Sequence, residues 1–111
     1  MKMLSFLDAV KVVALPLELD EGHKGTIALQ CCAAAGAQLA AAGEVWSASG
    51  VVTAYAAVKG CSAPSVWSSM KRVMTRAGLE GVPPSALIYF LGETAGRVAH
   101  DVNKQTRRLK R

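Results

Sequence analysis

Residues 25–58 are 34 positions with one charged side chain, Glu44, built mostly from Ala, Gly, Ser, Cys and Val. Small residues recur there at helical spacing. Ala28, Cys32, Gly36 and Ala40 stand four apart, and Gly36, Gly43, Gly50 and Ala57 stand seven apart. Either spacing keeps them on one face of a helix. A face without bulk lets a second backbone come close, which is how helices associate inside lipid. Gly92 and Gly96 form a GxxxG further on, a weak signal alone but consistent with a second small-residue helix. Ala28, Cys32, Gly36, Ala40, Gly43, Gly50, Ala57, Gly92 and Gly96 are therefore the expected helix-packing interface.

A chain of 111 residues holds one domain. Half of it is apolar but aromatics are only 5%, and alanine buries little area. A partner or a membrane would help such a chain to fold. The expectation is an all-α domain over 1–111 with four to five helices. Its centre is a small-residue helical hairpin or one long kinked helix, and it is membrane-associated.

The first segment, 1–16, reads as a short amphipathic helix. Ser5 is its N-cap, Leu4, Leu7, Val10 and Ala14 its apolar face, and Pro16 its stop. An acidic link follows, and Thr26 is a candidate cap for the central helices over 25–59. An unbroken helix there would be about 50 Å long. Each interior glycine costs about 1 kcal/mol, so a break at Gly43 is favoured, with Glu44 opening the next helix where its charge suits the dipole. Gly60 closes that piece. A basic amphipathic helix is expected over 62–78, with Ser62 as cap and Pro64 in its first turn. After the Pro83–Pro84 break, the C-terminal helix runs over 85–105 and leaves a basic tail at 106–111.

Charge is unevenly placed. Residues 1–58 hold three positive and five negative side chains, a net −2, whereas residues 59–111 hold ten and three, a net +7. The basic surface is Lys71, Arg72 and Arg76 on one helix, then Lys104, Arg107, Arg108, Lys110 and Arg111. Such segments suit lipid head groups, an acidic subunit or nucleic-acid phosphates. A solvated basic tail is the plain alternative. No aromatic residues interleave the tail to stack bases, which places nucleic acid behind the other partners.

No sequence motif of a hydrolase, P-loop or dinucleotide site is present. Asp20, Glu21 and His23 lie close together but lack the second cluster that a metal site needs. Cys31, Cys32 and Cys61 are an odd set with no CxxC, more simply small apolar residues than a disulfide framework. No enzyme activity, cofactor or metal is expected.

Three segments, GHKGTIALQCCAAAGAQLAAAG, SASGVVTAYAAVKG and PPSALIYFLGETAG, together resemble the glycine- and alanine-rich spans of the mitochondrial Tim translocase family, which includes an accessory subunit of respiratory complex I. The resemblance covers residues 22–60 and 83–99. It implies membrane spans, location in the mitochondrial inner membrane, and a scaffold or lipid-filling role with no catalytic residues. The functional expectation is a non-catalytic accessory subunit of a membrane complex, a mitochondrial respiratory complex first, held by other subunits. Both basic segments would then lie at one membrane face. The alternatives are a small phage- or virus-encoded pore-forming protein and a soluble helical module that binds RNA or a ribosome.

Overall fold

The computed structural model of the protein describes residues 3–109. They form an all-α fold of five helices: α1 is Phe6–Ala14, α2 Lys24–Ala41, α3 Ala48–Lys59, α4 Ala63–Arg76 and α5 Pro84–Leu109, with a 3-10 turn at Leu15–Leu17.

Local chemistry sets most of the starts. The Ser5 hydroxyl accepts from the Asp8 amide at 3.1 Å, and the Ser62 hydroxyl accepts from the Ser65 amide at 3.3 Å. Each satisfies a donor that the helix leaves orphaned, worth about 1 kcal/mol. Thr26 does not cap α2. His23 does, its Nδ1 accepting from the Gly25 amide at 2.9 Å. Thr26 lies inside the first turn, fully buried, with no hydrogen-bond partner for Oγ1.

The central stretch is two helices. Gly43 adopts φ +78° just beyond α2, a conformation that a Cβ disfavours. Glu44 then lies in an irregular link and not in a first turn. Ser47, whose hydroxyl accepts from the Gly50 amide at 3.0 Å, opens α3 instead.

α2 is the hub and packs against each of the other four helices. Its register with α5 is read from two glycines. A Cβ on Gly92 would sit 3.0 Å from the Ala33 carbonyl oxygen, and one on Gly96 would sit 3.9 Å from the Ala37 Cβ. Residues 33 and 37 thus face 92 and 96, and the two helices run parallel. Every helix contributes to the core: Val10, Leu29, Val52, Met70, Val73, Met74, Ile88 and Leu91 are all fully buried. Each such side chain is worth about 1.5–3 kcal/mol when removed from water.

The C-terminal segment differs from the sequence reading. α5 stays helical to Leu109, past residue 105, and Thr106 is buried rather than solvated. Asn103 accounts for the order. Its Oδ1 accepts from the Leu4 amide at 2.8 Å, and its Nδ2 donates to the Leu4 carbonyl at 3.2 Å. That two-bond clamp ties the last third of α5 to the start of α1. Among the described residues, no helix is long and apolar enough to cross a membrane.

Candidate binding surfaces

The expected packing residues divide into two groups. Ala28, Cys32, Gly36 and Gly92 are buried, and Gly96 is half-buried against Ala37. Ala40, Gly43, Gly50 and Ala57 are exposed. The seven-residue row is not one face, because α2 ends before Gly43 and α3 turns back. A Cβ on Gly43 would meet nothing within 4 Å, and one on Gly50 would meet only Ser47 Oγ at 3.0 Å.

What approaches the buried glycines lies within the chain itself. A Cβ on Gly36 would come 2.5 Å from the Trp46 ring, and the Gly92 position is 3.3 Å from the same ring. Trp46 thus lies over two glycines from different helices. It also stacks on Tyr89, with ring centroids 4.8 Å apart. The Tyr89 hydroxyl accepts from the Ala48 amide at 2.9 Å and fixes the start of α3 to α5. Among the glycines, the tightest surroundings are at Gly25, which the sequence reading did not single out. A Cβ there would lie 2.1 Å from the Ser69 carbonyl oxygen, so the backbones of α2 and α4 touch.

With five of the nine small residues used for internal packing, the basic segments are the main charged features left facing solvent. On α4, Lys71, Arg72 and Arg76 share a shallow surface of about 430 Å³ with Ser68 and Thr75. Those five residues, all exposed, include no carboxylate. Spacing of three and four residues puts them on one helix face. Buried Val66, Met70, Val73 and Met74 hold the opposite face against the core. Glu80 borders Lys71 on the far side, in a cleft that reaches Pro83 and Pro84. Ser68 and Thr75 were legible from the same periodicity, had hydroxyls been counted with the cations.

On α5, Arg97, His100, Lys104 and Arg107 stand at three- and four-residue intervals and line a groove of about 1070 Å³, with Phe6, Ala37, Ala40 and Ala41. Glu93 and Asp101 line it too, so its charge is mixed. Arg108 is exposed nearby, while Lys110 and Arg111 lie outside the described residues.

The two basic segments are not neighbours. Lys71 lies beside Pro84 at the start of α5, and Arg107 lies near its end. The 23 residue steps from 84 to 107 span about 35 Å of helix, most of the molecule's 47 Å long axis. A flat anionic surface therefore reaches both only along the side of the molecule, not at one end.

No protein-family model, curated protein or solved structure matches the chain. Function is therefore argued from these surfaces alone.

The titratable groups with displaced behaviour lie elsewhere, around the cysteines. Burial pushes the Cys32 thiol up to about 12, with the neighbouring Cys31 adding to the effect. Burial likewise raises Tyr55, with smaller contributions from the three cysteines. A thiol held protonated is a poor nucleophile, so Cys32 serves packing. Among the described residues no group of His, Cys, Asp and Glu is arranged to hold a metal ion. Asp20 instead accepts from the Gly22 amide at 3.1 Å, and Glu21 accepts from the Gln30 amide group at 3.5 Å.

Proposed function

We propose that the protein is a non-catalytic helical module that docks onto a phosphate-rich surface of a larger assembly, RNA in the first place, through the exposed face of α4. The observation that carries this reading is the donor set of Ser68, Lys71, Arg72, Thr75 and Arg76 on one rigid helix face with no carboxylate among them. Cations and hydroxyls are the side chains that contact phosphate oxygens, and such contacts position a protein without reading sequence or stacking on bases, so the lack of aromatics that ranks nucleic acid last for the tail does not bear on this face. The fold supports the reading by anchoring α4 backbone to backbone on α2 at Gly25. The test is fluorescence anisotropy with a labelled single-stranded RNA. Replacing Lys71, Arg72 and Arg76 together by Glu, all three exposed, lowers affinity by roughly tenfold or more at low salt. Unchanged affinity with the helix content intact refutes the reading.

A second reading is a peripheral accessory subunit at the head-group level of a membrane complex, such as a mitochondrial respiratory complex. It is favoured by large apolar side chains left in solvent, Val45 at 101% exposure, Val58 at 83% and Phe90 at 54%. Exposed apolar side chains of that kind suit a partner subunit or the apolar margin of a bilayer. Flotation with anionic vesicles, with release from membranes by alkaline carbonate as a peripheral protein requires, would favour it over the RNA reading.

A further inference from the structure

A trough of about 580 Å³ runs along the outer side of the α2–α3 hairpin. Cys32 and Val51 line it, as do Trp46 and Tyr55. Val45 and Val58 also line it, and both stand almost wholly in solvent. None of its lining residues carries a charge, although the chain holds 13 Lys and Arg and 8 Asp and Glu. Its volume lies within the ~300–1,000 Å³ of small-molecule sites, which are lined in the same way by apolar and aromatic groups. Exposed aliphatic side chains on an apolar trough are unexplained by the chain's own packing and mark a contact site.

One cation lies by the Tyr55–Val58 end. Lys59 follows Val58, and its Nζ is 5.8 Å from the centroid of the Tyr55 ring. Among the described residues Lys59 meets this ring and no carboxylate. Ser47 and Val58, both lining the trough, are eleven residues apart on one helix, about 17 Å. An extended chain of ten carbons, at roughly 1.2 Å per bond, is about 11 Å long. It fits between Trp46 and Lys59 with room for a head group.

We propose that this trough binds a free medium-chain carboxylate, its alkyl chain lying along α3 toward Trp46 and its carboxylate at Lys59. The charge pattern selects this occupant, since a neutral trough with a cation by one end complements an apolar chain with an anion at one end. A second copy of the chain is the competing occupant. The site is separate from the α4 face and does not depend on the RNA reading.

The test uses the full chain carrying Trp67→Phe, which leaves Trp46 as the single tryptophan. Decanoate, decanol and acetate are titrated while Trp46 emission is followed, and affinities are measured by calorimetry. Decanoate is expected to bind saturably below its micelle concentration and acetate not at all. Lys59→Gln should weaken decanoate by about fivefold, the scale of an exposed ion pair, and leave decanol unchanged. Ala54→Phe, at an exposed position that lines the trough, should abolish binding with no loss of helix content. Absence of saturable decanoate binding by the folded Trp67→Phe chain overturns the proposal. So does decanol binding as tightly as decanoate with Lys59→Gln silent. Dimerisation in the ultracentrifuge that Ala54→Phe abolishes would assign the trough to a second copy and overturn it as well.

Discussion

Replacing Gly25 by Ala puts a methyl group where the Ser69 carbonyl oxygen already stands. The built Cβ lies 2.1 Å from that oxygen, 2.6 Å from its carbon and 3.0 Å from the Met70 nitrogen. All three are backbone atoms, so no side chain can swing aside. Relief requires α2 and α4 to separate by about an ångström, in a region where Met70, Val73 and Met74 are fully buried. Overpacking of this kind costs about 1–3 kcal/mol and occasionally more. Alanine returns at most about 1 kcal/mol of helix propensity. The expected net loss is about 1–2 kcal/mol, or roughly 4–8 °C in Tm for a chain of this size. Gly50→Ala is the matched control, because its Cβ meets only the side-chain Oγ of Ser47, at 3.0 Å; its effect should range from no change to a gain of about 1 kcal/mol. The assay is urea unfolding followed by circular dichroism, with thermal melts in parallel. A Gly25→Ala chain as stable as the parent would refute the claim that the backbones of α2 and α4 touch.

Four further outcomes follow from single sites. Asn103→Ala removes both bonds to Leu4 and should cost about 1–3 kcal/mol, with hydrogen exchange accelerating at Leu4 and along α1. Thr26→Val keeps the shape and removes a buried hydroxyl without a partner, so urea unfolding should show equal or greater stability, by up to about 1 kcal/mol. Leu29→Ala opens a cavity at the fully buried centre of α2 and should cost about 2–5 kcal/mol in the same assay. The Cys32 thiol, held at about 12 against an ordinary 9.0, favours the folded state in full below pH 9 and loses that contribution as pH rises toward 12. The stability gap between the parent and Cys32→Ala should therefore shrink above pH 9, by at most about 1.4 kcal/mol per pH unit, and a constant gap would contradict it.

Local signals were legible in the sequence where a helix end depends on its own residues. Ser5, Pro16, Ser62 and Gly60 act at their positions through bonds or φ angles that neighbours cannot override. His23 was missed as a cap because an imidazole nitrogen rarely does the work of a hydroxyl, and Thr26 is claimed by the core. The end of α5 was misplaced because the charge run 104–111 reads as solvated. Lys, Gln, Arg and Leu are nonetheless good helix formers, and the Asn103 clamp comes from Leu4, ninety-nine positions away. The glycines show the limit most clearly. Their spacing announces that something comes close, but not what. At Gly36 it is an indole ring ten residues on, at Gly25 the backbone of α4, and at Gly50 only its own cap. Of the nine residues read as an interface, five are spent on packing within the chain and four face solvent.

The central functional claim is that three cations on the α4 face meet phosphates. The most direct measurement is the affinity for a single-stranded RNA at several salt concentrations between 50 and 200 mM. Contacts to three phosphates predict a log–log slope of roughly −2, moving toward zero when Lys71, Arg72 and Arg76 are reversed in charge. A slope near zero for the parent, or the same slope for both proteins, would contradict the account.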